Sequence, residues 1–304
     1  MVGIENWLDL HMHSWHSGDG EFSPAELMRR CAAVGIRSAA LADHNTMQGT
    51  MEAADAAQQM GLRSFPAVEL DCTQEGRNFH LLGYGQSPHA AAVRKIAEAV
   101  HEQELAASEQ LLCKVRNIGF QFDEAVVRRK ARNGVVAAEM IAEVVLADSR
   151  NAENALLRPF RCGGTRSDNP PVNFYWDFCA QGKPAYVPMQ YISLSEAVTT
   201  IQEAGGAAIL AHPGANIGQD RAVMETLIPQ GLDGVEAYSN YHDSATQDFY
   251  VELARKHHLL VTAGSDFHGK AKPAIQLGTM HCPYPEEKQD DLMALIARRG
   301  GVVF

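Results

Sequence analysis

Histidines and carboxylates recur at the boundaries of short apolar runs along most of this chain, and that recurrence constrains the fold more than any other feature. His11-Met12-His13 closes the run 6–11, Asp43-His44 follows 39–42, Glu69 ends 64–69, and His80 lies at the start of 79–84. The arrangement returns after residue 186. His212-Pro213 closes 207–211, Glu236 lies in 234–237, and Asp266-Phe267-His268 follows 259–263. Alternate residues of a strand point the same way, so two imidazoles spaced by one residue can reach a single ion. Any one of these residues alone is more often a hydrogen-bonded side chain than a ligand. Their coincidence at successive strand boundaries argues otherwise, because gathering so many ionisable groups away from water is costly without cations to pair them.

Longer segments of helical pattern separate the runs, which is the logic of βαβ units and predicts an α/β fold with parallel strands. Ser23-Pro24-Ala25-Glu26 is a helix start: Ser at the cap, Pro at the first position, Glu at the third. In a barrel or an open parallel sheet the loops at the carboxyl ends of strands converge on one face, so the polar residues, together with Asp19 in its glycine-flanked loop, are expected to meet in one pocket. The stretch 101–185 differs, being mainly helical in pattern and ending in polar, Gly- and Pro-containing sequence. It is read as an insertion that divides one catalytic fold into a first part, 1–100, and a second, 186–304. Arg161 and Arg166 lie in a loop-like tract of this insertion, where solvation and anion binding are both open to them.

Composition excludes several function classes. No apolar run approaches the roughly 20 residues that span a bilayer, and residues 1–9 lack the basic start of a secretory leader; a soluble, cytoplasmic protein is expected. A formal charge of −11 disfavours a general grip on long nucleic acid. The six cysteines, Cys31, Cys72, Cys113, Cys162, Cys179 and Cys282, are scattered without a CxxC pair, so they are read as buried, reduced thiols.

The order His11-x-His13, Asp19-Gly20, Asp43-His44, Glu69, His80, His212-Pro213 and Asp266-x-His268 resembles the PHP (polymerase and histidinol phosphatase) family nearly end to end. The segment 182–188, the Ala204-Gly205-Gly206 approach to His212 and the helical insertion resemble its branch of nucleoside 3',5'-bisphosphate phosphatases and a 5'-to-3' exoribonuclease. The resemblance implies a distorted (β/α)7 barrel with two or three divalent ions. It implies that His11, His13, Glu69 and Asp266 hold a first ion, Glu69, His80 and His212 a second, and Asp19, His44 and His268 a third. Manganese is the expected metal, with iron and zinc suited to the same mixed imidazole and carboxylate set. The activity implied is hydrolysis of a phosphate ester of a small metabolite, a nucleotide or a short oligonucleotide by a metal-activated water.

One departure bears on the substrate. Where the branch commonly has Arg-Pro-His in the insertion, this chain has Ala138-Glu139-Met140, so neither cation is present. Arg161, Arg166 and Lys183 are the candidate replacements. Asp266 and His268 are candidates for assisting proton movement, and His242 for touching the phosphate or protonating the leaving oxygen. Glu236 is read as an acceptor that orients a ligand histidine or as a plain carboxylate, Asp43 as orienting its neighbours. Trp15, Tyr238, Tyr241 and Phe267 are read as packing rather than as a stacking surface. Hydrolysis of amides, lactones or carboxylic esters on the same ligands is a second reading, disfavoured by the lack of a strand-end lysine. A non-catalytic metal-binding module is a third.

Overall fold

The computed structural model describes residues 7–280 and 286–304. Asn6 and Cys282, both part of the sequence expectations, lie outside the described residues. The chain divides into two compact units, Met1–Ala97 with Tyr191–Phe304, and Glu98–Gln190.

The first unit opens with β1 (Leu8–Met12), α1 (Pro24–Ala33), β2 (Ser38–Leu41), α2 (Thr50–Met60) and β3 (Arg63–Ser64). Ser23 caps α1 by accepting the Glu26 N–H at 3.1 Å, and Leu27, Met28 and Cys31 bury one stripe of the helix. Strands β1, β2 and β3 are parallel neighbours in that order, joined by helices as the sequence pattern requires. The residues of β1 and β2 are buried throughout, which is why these strands read as continuous rather than alternating apolar runs.

The next strand departs from expectation. The run 64–69 is not one strand: it breaks at Phe65-Pro66, whose proline has no N–H to give a ladder, and β4 (Ala67–Gln74) starts beyond it. Strand β5 (Arg77–Tyr84) then returns antiparallel to β4 through Glu75-Gly76, with φ of 51° and 75°. Two central residues at positive φ make a primed turn, which matches the twist of a hairpin, so no βαβ crossover is formed here. The hairpin extends β4 past Glu69, and Glu69 therefore lies inside a strand rather than at its end.

The long helix α3 (Ala91–Asn117) crosses the division between units. In the second unit α4 (Glu124–Lys130), α5 (Ala138–Ala147) and α6 (Pro170–Phe174) follow, and Leu112, Phe120, Ile141, Val145, Leu157 and Phe174 are buried in its own core.

The first unit resumes with β6 (Ile192–Ser193), α7 (Leu194–Glu203), β7 (Ala207–Leu210), α8 (Pro213–Ile217), α9 (Arg221–Leu227), β8 (Gly234–Ser239), α10 (Ser244–His257), β9 (Leu260–Gly264) and α11 (Glu286–Arg298). The second sheet has the order β6-β4-β5-β7-β8-β9, with β7, β8 and β9 parallel and β5 antiparallel to both its neighbours. Leu194, Ala197, Val198 and Ile201 of α7 recur at helical spacing and bury against this sheet. Two isolated parallel bridges connect the sheets. Met12 pairs with Phe267 beyond β9, and His44, beyond β2, pairs with Glu69 of β4. Both bridges fall among the polar residues singled out in the sequence.

Among the described residues no helix is long and apolar enough to cross a membrane. The described cysteines are free thiols; Cys31, Cys72 and Cys179 are buried as expected, whereas Cys113 and Cys162 are exposed. Cys113 turns to the outer side of α3, and Cys162 lies in a polar turn that offers no core to enter.

Candidate metal centre

His11 is set by a strand buried along its whole length, and its ring is oriented from below. Nδ1 lies 3.0 Å from Oε1 of Glu236, a fully buried carboxylate whose Oε2 accepts the His212 N–H at 2.9 Å. A carboxylate only accepts, so Nδ1 of His11 carries a proton and Nε2 is the nitrogen that would be offered to a cation. His13 is oriented in the same manner: its Nδ1 lies 3.0 Å from Ser17 Oγ, which donates to Asp43 at 2.8 Å. Asp43 also accepts from Ser14 N–H and Oγ, and so fixes the whole turn after β1. His268 donates Nδ1–H to the backbone oxygen of Asp266 at 2.8 Å.

The inward nitrogens converge on two carboxylates. Glu69 Oε2 lies 3.2 Å from His11 Nε2, 3.2 Å from His13 Nε2 and 3.1 Å from His44 Nδ1, while Oε1 lies 2.8 Å from His80 Nδ1 and 3.2 Å from His212 Nε2. Asp266 Oδ1 lies 3.4 Å from His11 Nε2 and 3.0 Å from His13 Nε2, and the two imidazole nitrogens are themselves 3.1 Å apart. Asp19 Oδ2 approaches His268 Nε2 at 3.1 Å and His44 Nε2 at 4.0 Å. Among the described residues three sets have ligand atoms close enough to share an ion: His11, His13, Glu69 and Asp266; His44, Glu69 and His80; and His13, His44 and His268. The first is the set expected from the resemblance. In the second His44 takes the place of His212, and in the third His13 that of Asp19, although both displaced residues touch the same cluster.

The electrostatics follow from this crowding. Burial opposes the charged form of His13 and of His80, yet Asp266 and Glu69 beside the first and Glu69 beside the second raise each to about 9. Burial, helped by the charge of His13, pulls His44 down to about 4, with Glu69 opposing. Burial disfavours ionised Glu69 and Asp266, but His11 and His80 around the one and His268 and His11 around the other hold both well below the usual carboxylate range. Close as they lie to other polar atoms, Glu69 Oε2, His44 Nδ1, His212 Nδ1 and His268 Nε2 are buried without a hydrogen bond of proper geometry. Buried polar atoms are nearly always paired, so a cluster of unpaired donors of electron pairs points to a cation that pairs them.

Backbone strain gathers at the same place. His212 has φ of 25° and Asp266 of 58°, both in the region that non-glycine residues rarely adopt. The Asp266 turn is held by its N–H to His11 O at 2.8 Å, and the neighbouring β9 approaches β1 closely at Gly264, where a Cβ would stand 2.2 Å from the His11 Cβ.

Other sequence expectations are corrected. His242 is buried with both ring nitrogens committed, Nδ1 donating to Ala237 O at 2.8 Å and Nε2 accepting the Gly214 N–H at 2.9 Å. Burial also lowers its pKa, so the ring braces the turn instead of offering a proton. Arg166 forms a paired contact with Asp177, and Arg161 donates to Asn151 O at 2.9 Å; both guanidiniums serve the second unit's own loops. Lys183 is exposed in that unit. Tyr241 is not simple packing, since its hydroxyl donates to Asp266 Oδ2 at 2.5 Å. Sequence reasoning passed over Lys272, whose Nζ lies 2.6 Å from the same oxygen, and Asp71, 3.2 Å from His80 Nε2. Asp71 follows Glu69 by two residues along β4, a spacing that puts both on one face, and was the more findable of the two.

The PHP domain family matches residues 9–146. The 3',5'-nucleoside bisphosphate phosphatase of Chromobacterium violaceum is 30% identical over 277 residues, covering 89% of this chain and 90% of that protein. The chain belongs to the PHP family. A 5'-3' exoribonuclease of Haemophilus influenzae is 28% identical over 266 residues, covering 86% of this chain and 89% of that protein. A solved structure described as an amidohydrolase from Chromobacterium violaceum, with bound sulfate and no metal, superposes with a TM-score of 0.72 at 29% identity, over 93% of this chain and 96% of that one. The α/β fold is thus that of PHP proteins.

Proposed function

We propose that this PHP protein is a metal-dependent phosphoesterase that removes phosphate from a small phosphorylated metabolite of nucleotide type, on a centre held by His11, His13, Asp19, His44, Glu69, His80, His212, Asp266 and His268. The observation that carries the reading is Glu69: one fully buried carboxylate ringed by five imidazoles, all within 3.2 Å. A single carboxylate has no structural need of five such neighbours, whereas Glu69 and these imidazoles together would hold divalent ions. Mixed nitrogen and oxygen donors suit manganese, iron or zinc, and membership of the PHP family puts manganese first among them. The two bridges between sheets support a distorted seven-stranded barrel, with the stretch 101–185 as a helical insertion.

Divalent ions bound there supply electrostatic stabilisation of a phosphoryl group and water of lowered pKa. The chain's own part is to hold the donors. Glu236, Ser17 and Asp43 fix the protons of His11 and His13 away from the centre, and Asp266 and His268 face it with groups able to hold or pass a proton.

Relatives named for a nucleoside bisphosphate and for RNA support a nucleotide-type substrate. Amide or lactone hydrolysis is the second reading, favoured by the name of the structural neighbour. Phosphate release from a panel of nucleoside phosphates and short oligoribonucleotides by manganese-loaded protein, beside amide and lactone substrates, tests the choice. Turnover of phosphate esters that a chelator abolishes is expected; turnover of amides or lactones alone would sink the assignment.

A further inference from the structure

At the edge of the cluster one cation has a geometry that metal holding does not explain. Lys272 Nζ donates to Asp266 Oδ2 at 2.6 Å and to the Tyr241 hydroxyl at 2.8 Å, and that hydroxyl donates to the same Oδ2. The carboxylate is thereby divided: Oδ1 faces His11 and His13, while Oδ2 faces the ammonium. An ammonium has three N–H groups, and two are engaged. The Lys272 side chain is 34% exposed against 3% for Asp266, so its head lies where the buried centre meets solvent. A lysine drawn onto the outer oxygen of a ligand carboxylate competes with cations for its charge, which weakens the centre unless the ammonium also meets an anion there. The guanidiniums of Arg161 and Arg166 are engaged within their own unit, whereas Lys272, among the described residues, is a cation in direct contact with a residue of the centre.

We propose that Lys272, fixed by Tyr241, binds a non-bridging oxygen of the substrate's terminal phosphate and so favours phosphomonoesters over phosphodiesters. The inference rests on the phosphoesterase reading above. A phosphomonoester carries close to two charges above pH ~6 and three terminal oxygens. One oxygen can meet the ammonium while the others face the centre. A diester has one charge and two such oxygens, and gains less from the same cation. No bond to Lys272 forms or breaks; the residue binds.

The test uses manganese-loaded protein with p-nitrophenyl phosphate, bis-p-nitrophenyl phosphate and inorganic phosphate as probes, on wild type, Lys272→Met, Lys272→Arg and Tyr241→Phe. Metal content is measured on each. Lys272→Met is expected to raise KM for the monoester and the dissociation constant of inorganic phosphate by about 10- to 50-fold, the scale of a charge-assisted hydrogen bond. Its kcat and metal content are expected to stay near wild type, and the diester KM to move less. Lys272→Arg should recover most of the loss, and Tyr241→Phe should weaken phosphate binding less than Lys272→Met. Unchanged phosphate affinity in Lys272→Met overturns the proposal, as does a fall in metal content and kcat at constant KM, which would make Lys272 a positioning residue for Asp266. If the wild type hydrolyses neither these esters nor the nucleoside phosphates named above, the phosphoesterase reading fails by itself. Binding of inorganic phosphate, read by calorimetry, then still decides the role of Lys272.

Discussion

Replacing Glu236 by glutamine keeps the size of a fully buried side chain and removes one of its two acceptors. Glu236 Oε1 takes the His11 Nδ1 proton at 3.0 Å and Oε2 takes the His212 N–H at 2.9 Å. A carboxamide has one oxygen and an NH2. If the oxygen stays on His212, the NH2 faces Nδ1 of His11, and the imidazole must move its proton to Nε2, the atom aimed at His13, Glu69 and Asp266. If it stays on His11, two donors meet at the His212 backbone. Either way one hydrogen bond to a charged acceptor is lost, about 1.5–3 kcal/mol, equivalent to roughly 10- to 150-fold in an equilibrium constant. Groups that orient metal-binding histidines typically contribute about 10- to 100-fold in affinity, the same scale. Manganese titration of Glu236→Gln by calorimetry is therefore expected to show a loss of about 10- to 100-fold with an intact fold by circular dichroism. Unchanged affinity in a folded variant would refute the claim that Glu236 sets the His11 tautomer.

Further outcomes follow from the same geometry. His13 and His80 are raised to about 9 in the metal-free protein, so both hold a proton at pH 7 that a cation must displace. Calorimetry in buffers of different ionisation enthalpy should show proton release on manganese binding at pH 7, and affinity that climbs until about pH 9; binding without proton release contradicts this. The same raised values contribute stability to the chelated protein that is fully present below pH 6.5 and lost as pH rises through about 9, so its melting temperature should be lower at pH 9.5 than at pH 6.5. Gly264→Ala would put a Cβ 2.2 Å from the His11 Cβ and 2.7 Å from Glu236 Oε1. It is expected to cost about 1–3 kcal/mol in denaturant unfolding and to weaken metal binding, and wild-type values in both would refute the close approach. Glu75→Asn, at φ of 51° in the hairpin turn, should raise stability by about 0.5–1 kcal/mol without touching activity; a loss of stability would contradict the primed turn.

The residues that carry chemistry were more legible than the path that joins them. His11, His13, His44, His212, Asp266 and His268 stand where apolar strands stop, and a strand that stops at a polar side chain leaves its mark in sequence. Glu69 was found for a partly mistaken reason. It lies inside β4, buried by pairing with β5, and the Glu75-Gly76 turn that makes the pairing lacks the Asn-Gly or Asp-Gly signature that would have announced a hairpin. Because β5 runs against its neighbours, His80 near its start still reaches the centre to which the parallel strands bring their ends. Lys272 was invisible because it lies six residues beyond Asp266 in a loop with no periodicity, and only the turn at Asp266 brings it back. His242 misled for the opposite reason: a histidine after a strand looks available, but its two nitrogens are filled by the backbone of Ala237 and Gly214, which no spacing reveals.

The account stands on imidazoles and carboxylates from distant stretches holding shared cations. Metal content by plasma mass spectrometry, measured with phosphate release on wild type and on His11→Ala with Asp266→Ala, tests it most directly. Two or three divalent ions per chain and chelator-sensitive phosphate release are expected for the wild type, with at least one ion and nearly all activity lost in the double variant. A wild type that binds no divalent ion, or a double variant that keeps its full metal content and its rate, would contradict the account.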